Sequence, residues 1–162
     1  MKARKTELDS AATFISQSYH ARTEYFKGRV GVFEKLERAL IRRLRRALSE
    51  NPANPRIWCL LGDHYKRRDQ KAHCFRQALK ASPRDPEAHA ELAQICAELG
   101  DRRAFARHFE KALRFSRGFD VEDVIILVCL DAAKELGDDA RAKRAMILGR
   151  KRFPGLSWFL PK

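Results

Sequence analysis

An all-α fold made of antiparallel helix pairs is predicted by three features of this 162-residue chain. Apolar residues recur at steps of three and four through most of its length, the spacing that gathers side chains on one face of a helix. One pattern of bulky and small positions returns three times, anchored at Trp58, His89 and Ile126, which lie 31 and 37 residues apart. The segments Glu98-Leu99-Gly100-Asp101 and Glu135-Leu136-Gly137-Asp138 both read as a helix stop followed by a helix start. Glycine takes the left-handed position after the last helical turn, and aspartate caps the next helix.

The elements follow in order. Leu8, Ala11, Ala12, Phe14, Ile15, Tyr19, Tyr25 and Phe26 predict a first helix, and Gly28 and Gly31 bracket a turn. Phe33, Leu36, Leu40, Leu44, Ala47 and Leu48 form the stripe of a second helix, so residues 6–51 read as a lengthened hairpin capping the stack. The alternative is a basic arm through residue 5 followed by a partner-binding helix. Trp58-x-x-Leu61-Gly62-x-x-Tyr65 then opens the clearest pair, which continues through Phe75, Ala78 and Pro83. Gly62 is expected to let a second backbone come close, with Ala78, Ala112 and Gly149 as the small residues of the second helices. The next copy runs His89, Leu92, Ala93, Cys96, Phe109 and Ala112, and leaves through a long loop at residues 116–120. The third runs Ile126, Cys129, Leu130, Ala133, Met146, Gly149 and Pro154. Proline and glycine break the apolar stretch from Phe153 to Pro161, so it cannot form a long helix. Trp158 and Phe159 are expected either to fold back onto the last hairpin or to dock onto a partner.

Over residues 53–154 this pattern resembles the tetratricopeptide repeat, with its W-x2-L-G-x2-Y opening followed by small, aromatic and proline positions. The resemblance implies a right-handed superhelical stack of helix pairs, a TPR-like α-solenoid of about three repeats. Three segments result: a basic N-terminal hairpin over 1–52, the repeats over 53–154, and an apolar tail over 155–162. It also implies that first helices line a concave groove for a partner protein. Placed on that frame, the lining includes Arg56, Cys59, Asp63, Lys66 and Arg67 from the first pair. Gln94, Glu98, Leu127, Asp131 and Lys134 come from the later pairs. Asp63 and Gln94 stand where the family's carboxylate-clamp asparagines would be, so binding of a chaperone tail is not carried over. The mixed charge suits a peptide of mixed charge. In a competing reading the N-terminal helix or the aromatic tail fills the groove.

Length and a 44% hydrophobic content fit one soluble domain, and no apolar run is long enough for a membrane span. No hydrophobic signal region follows the basic start, and none of the four cysteines forms a CxxC pair. Reduced, buried thiols and a cytoplasmic location are expected. The net charge of +13 is uneven: residues 1–85 hold 20 basic and 9 acidic groups, residues 86–162 hold 14 and 12. Arg42, Arg43, Arg45 and Arg46 are forced outward by the apolar stripe of their helix, and Arg68 and Lys71 join Lys66 and Arg67 in a second cluster. Both clusters predict contact with a polyanion, since uncompensated charge of one sign repels itself. In residues 86–162 solvated pairs such as Glu98 with Arg102 and Asp139 with Lys143 are expected to absorb the charge. No phosphate-binding, zinc-protease or nucleophile-elbow motif occurs, and the five histidines are scattered, so no catalytic residue, metal or cofactor is expected. The expected function is a non-enzymatic adaptor or scaffold. The rival is an RNA- or ribosome-associated protein holding phosphate backbone through its basic half.

Overall fold

The computed structural model describes residues 13, 14, 16–18, 23, 27, 28 and 30–159. Among these residues all regular structure is helical and no strand occurs. Two compact units divide the chain, Met1–Ala81 and Ser82–Lys162, so the boundary falls inside the segment expected to be one run of repeats. The expected core positions Leu8, Ala11, Ala12, Ile15, Tyr19, Tyr25 and Phe26, and Leu160 and Pro161 of the tail, lie outside the described residues.

In the N-terminal unit, α1 spans Val30–Glu50, α2 Pro55–His64 and α3 Arg68–Ala81. Helix α1 buries Leu40, Leu44 and Leu48, one residue per turn, and helical Phe14 joins the same cluster with Ile57, Leu60 and Leu61 of α2. The turn before α1 contains Gly28, at φ +72°, whereas Gly31 lies within the first turn of α1 and brackets nothing. Asn54 starts α2: its side-chain oxygen accepts from the amides of Arg56 and Ile57, and Pro55 supplies a preset φ at the first helical position. Tyr65 is extended and ends the helix after ten residues. Gly62 provides a close approach, but to a ring rather than to a backbone. A Cβ there would lie 2.9 Å from Cζ of Phe75, which is fully buried.

The C-terminal unit holds α4 (Pro86–Glu98), α5 (Arg102–Phe115), α6 (Glu122–Glu135), α7 (Asp139–Arg152) and a 3-10 turn at Ser157–Phe159. The two predicted stop–start segments form as expected. After α4 the amide of Asp101 donates to Cys96 O (2.9 Å) and that of Gly100 to Ala97 O (3.0 Å). After α6 Asp138 donates to Ala133 O (2.8 Å) and Gly137 to Lys134 O (3.0 Å). This double bond needs a left-handed residue, and Gly100 and Gly137 sit at φ +72° and +67°. Asp101 and Asp138 then accept from the amides of Ala104 and Arg141, starting α5 and α7. The core is built by Phe105 and Phe109, whose ring centroids are 5.5 Å apart, with Ile126, Cys129, Leu130, Ala112 and Ala145.

The tail divides its two aromatics. Phe159 is completely buried over Gly149, while Trp158 stays 59% exposed. Arg150 holds the fold-back by donating from Nε to the Phe159 carbonyl. Cations of this unit reach across helices. Arg144 and Arg141 both meet Glu110, Arg152 meets Glu122, and Arg102 donates to the exposed Leu136 carbonyl end of α6. No described helix is long and apolar enough to cross a membrane.

Candidate functional site

Within the N-terminal unit α1 and α3 both pack on α2 and leave an open cleft of about 570 Å³ between them. Leu48, Leu61 and Trp58 give it an apolar floor; Arg45, Gln70 and His73 stand at its edge. Trp58 is half-buried and fixed twice. Its indole nitrogen donates to Pro52 O (2.8 Å), and its ring meets His73 edge-on at 5.9 Å between centroids. Tyr65 is held from α1: Arg45 donates from Nε (3.0 Å) and Nη2 (2.8 Å) to the phenol oxygen. Trp58 and Tyr65 thus pack partly against the core and partly line this open recess.

The arginine block of α1 is exposed, as its stripe requires, but three of its four members are engaged. Arg45 is on Tyr65, Arg46 pairs with Glu50 one turn on (3.3 Å), and the Arg43 guanidinium lies 5.5 Å from the Phe14 ring centroid. Arg42 has no carboxylate partner among the described residues. Lys66, Arg67 and Arg68 are exposed around the α2–α3 turn, and Lys71 is half-buried on α3. Arg67 turns back onto Asp69 with two hydrogen bonds (3.1 and 2.9 Å), which hold that carboxyl below its usual range.

The residues assigned to a groove are divided between the two units. Arg56 and Asp63 are half-buried on α2, Lys66 and Arg67 lie in the turn that follows, and Cys59, 1% exposed, is in the core and lines nothing. In the C-terminal unit Gln94 of α4 donates to Glu135 of α6. Asp131 and Lys134, one turn apart on α6, are exposed and lie 3.9 Å from each other.

Two polar constellations escaped the sequence reading. Ser18, His64 and Glu37 form a chain, with Ser18 Oγ 2.9 Å from His64 Nε2 and Glu37 Oε1 3.5 Å from Nδ1. Its order matches a serine–histidine–acid relay, yet Ser18 and His64 are 8% and 5% exposed. A nucleophile must meet its substrate, and this hydroxyl is buried, so the chain of contacts ties Ser18, and Glu37 of α1, to His64 of α2. Separations of 46 and 27 residues gave no local signal for it. Neither are the buried thiols nucleophiles: burial pushes Cys74 up to about 11 and Cys129 to about 12, so both stay protonated at neutral pH.

The second constellation joins His89 and His108, whose Nδ1 atoms are 2.9 Å apart, while His89 Nε2 lies 3.2 Å from Pro83 O. The carbonyl requires Nε2 to donate, so His89 Nδ1 accepts from His108. Burial lowers the His89 pKa from 6.5, and Lys111 adds to the shift against the Pro83 hydrogen bond and Asp85. The unfolded chain therefore takes up this proton first as pH falls below 6.5. Stability of the C-terminal unit should fall from there down to the lowered folded-state pKa and then level. Urea unfolding across that range should show the slope, and His89→Gln should flatten it.

Among the described residues no three His, Cys, Asp or Glu side chains are grouped to hold a metal ion. Compared with known proteins, the chain matches no protein-family model and no curated sequence.

Proposed function

We propose that this protein is a non-catalytic, cytoplasmic adaptor whose helix pairs are tetratricopeptide-like repeats, and that it holds a segment of a partner protein in the α1–α3 cleft. The carrying observation is the cleft itself: open, apolar at its floor, and lined by Trp58 and Tyr65, which are held in place by Pro52 O and Arg45. Aromatic side chains already held by hydrogen bonds beside a recess are the anatomy of a binding hot spot, because little side-chain freedom is lost on docking. Gln70, His73 and Arg45 at the edge supply hydrogen bonds for register. The repeat reading is supported by the spacing of Trp58, Leu61, Gly62 and Tyr65 and by the repeated Gly–Asp turns. Cys59, Cys74 and Cys129 are buried as single thiols, a form that suits a reducing compartment. Lys66, an exposed group of the predicted groove in the same unit, is available for a secondary contact.

Binding of nucleic-acid backbone by Arg42, Arg43, Arg45, Arg46, Arg68 and Lys71 is the weaker reading, because three of the four α1 guanidinium groups already have partners within the unit. The two separate on one comparison. Material bound to the purified protein should survive nuclease and be lost from a Gln70→Glu/His73→Glu variant. Release by nuclease, with no effect of the variant, would favour the nucleic-acid reading.

A further inference from the structure

The C-terminal unit carries a second groove, of about 640 Å³, between α5 and α7. It is built from two facing stripes in the same register. On α5 the stripe is Glu110, Leu113 and Arg114, with Arg117 in the turn just past its end; on α7 it is Arg144, Ile147, Leu148 and Lys151, each 34 residues after its counterpart. Steps of three and one place Glu110, Leu113 and Arg114 on one face of α5, and steps of three, one and three do the same for the four residues of α7.

The floor is aliphatic, from Leu113, Ile147 and Leu148, and Ile147 is 55% exposed. The flanks are cationic. Glu110 is the one carboxylate lining the groove, and Arg144 already neutralises it with bonds of 2.6 and 2.8 Å. A smaller recess of about 500 Å³ continues past Leu148 and Lys151 to Arg117, and its carboxylate, Glu122, is consumed by Arg152. Lys111, Arg114, Arg117 and Lys151 are left with no carboxylate partner among the described residues. Residues 86–162 look nearly balanced in composition, but their anions on this face are used up internally.

We propose that this groove docks an acidic protein segment that presents an aliphatic side chain at its centre. The aliphatic group covers Ile147 between Leu113 and Leu148, and carboxylates on either side meet Lys111 and Arg114 on α5 and Lys151 and Arg117 at the far end. Charge complementarity selects the acid, and the exposed aliphatic floor selects a protein over a phosphodiester strand. A strand would neutralise the flanks but leave Ile147 in water, and no flat aromatic surface lines the groove for a base to stack on. The site is independent of the α1–α3 cleft, so the two stand or fall separately.

The test is fluorescence anisotropy on the full chain at physiological salt. Three probes are used: a labelled amphipathic Glu/Leu peptide of about four helical turns, an all-Glu peptide of equal length, and an oligouridylate. The Glu/Leu peptide should bind more tightly than the other two. Ile147→Asp should weaken it roughly tenfold, as should Lys111→Glu/Lys151→Glu. Arg42→Glu/Arg43→Glu should leave its affinity unchanged. Ile147 is exposed, so its replacement leaves the core intact, and far-UV circular dichroism of each variant checks this. Equal binding of the Glu/Leu peptide by the Ile147→Asp variant, or tighter binding of oligouridylate that only the charge reversals weaken, would overturn the proposal.

Discussion

Gly149→Ala should destabilise the C-terminal unit by about 2 kcal/mol, and the same substitution in a Phe159→Ala background should stabilise it by up to about 1 kcal/mol. A Cβ on Gly149 would overlap Cδ1 and Cε1 of the Phe159 ring, far inside contact distance. The ring is fully buried and its carbonyl is held by Arg150, so it cannot slide and must leave. Losing a buried phenylalanine costs about 3–5 kcal/mol, and replacing a mid-helix glycine by alanine returns about 1 kcal/mol. The packing loss therefore wins while the ring is present, and helix propensity wins once it is gone. Urea unfolding of the four proteins of this cycle gives both signs. Two additive losses would mean that the tail does not pack on Gly149.

The same pair shows how far the sequence was legible. Gly149 was readable as a small position, because the repeat frame aligns it with Ala78 and Ala112. Its partner was not: Trp158 and Phe159 are adjacent, equally apolar and preceded by a proline–glycine break, and only the 3-10 turn decides which one faces the helix. Local chemistry was easiest to read. Gly100–Asp101 and Gly137–Asp138 carry their conformation in the residue types themselves, and both form as expected. The outward face of Arg42, Arg43, Arg45 and Arg46 followed from the Leu40–Leu44–Leu48 stripe. What stayed hidden depends on pairings distant in sequence: Arg45 on Tyr65, Ser18 on His64, and the alignment of α5 with α7. Cys59 was placed on a lining and lies in the core, because a frame borrowed from a resemblance assigns a helix face only to within about a residue of rotation.

Phe75→Ala should cost the N-terminal unit about 3–5 kcal/mol, enough to threaten its cooperative folding. Phe75 is fully buried, and its ring tip fills the space that Gly62 leaves on α2. Gly62→Ala alone is a closer contest. The new methyl would stand 2.9–3.2 Å from three ring atoms, and overpacking costs about 1–3 kcal/mol, against a gain of about 1 kcal/mol from helix propensity. A small net loss is expected. With Phe75→Leu in place the crowding is relieved, so adding Gly62→Ala should recover stability. Thermal unfolding of the single and double variants reads this coupling directly. Independent, additive effects would mean that α2 and α3 do not meet through this contact.

The adaptor reading is tested most directly by placing a photo-reactive amino acid at Gln70, on the edge of the α1–α3 cleft, and identifying what it captures in cells. The expected product is a covalent link to one short segment of one protein. A synthetic copy of that segment should compete for it, and His73→Glu should abolish it. Links that scatter over many unrelated proteins, or that fall on nucleic acid, would contradict it.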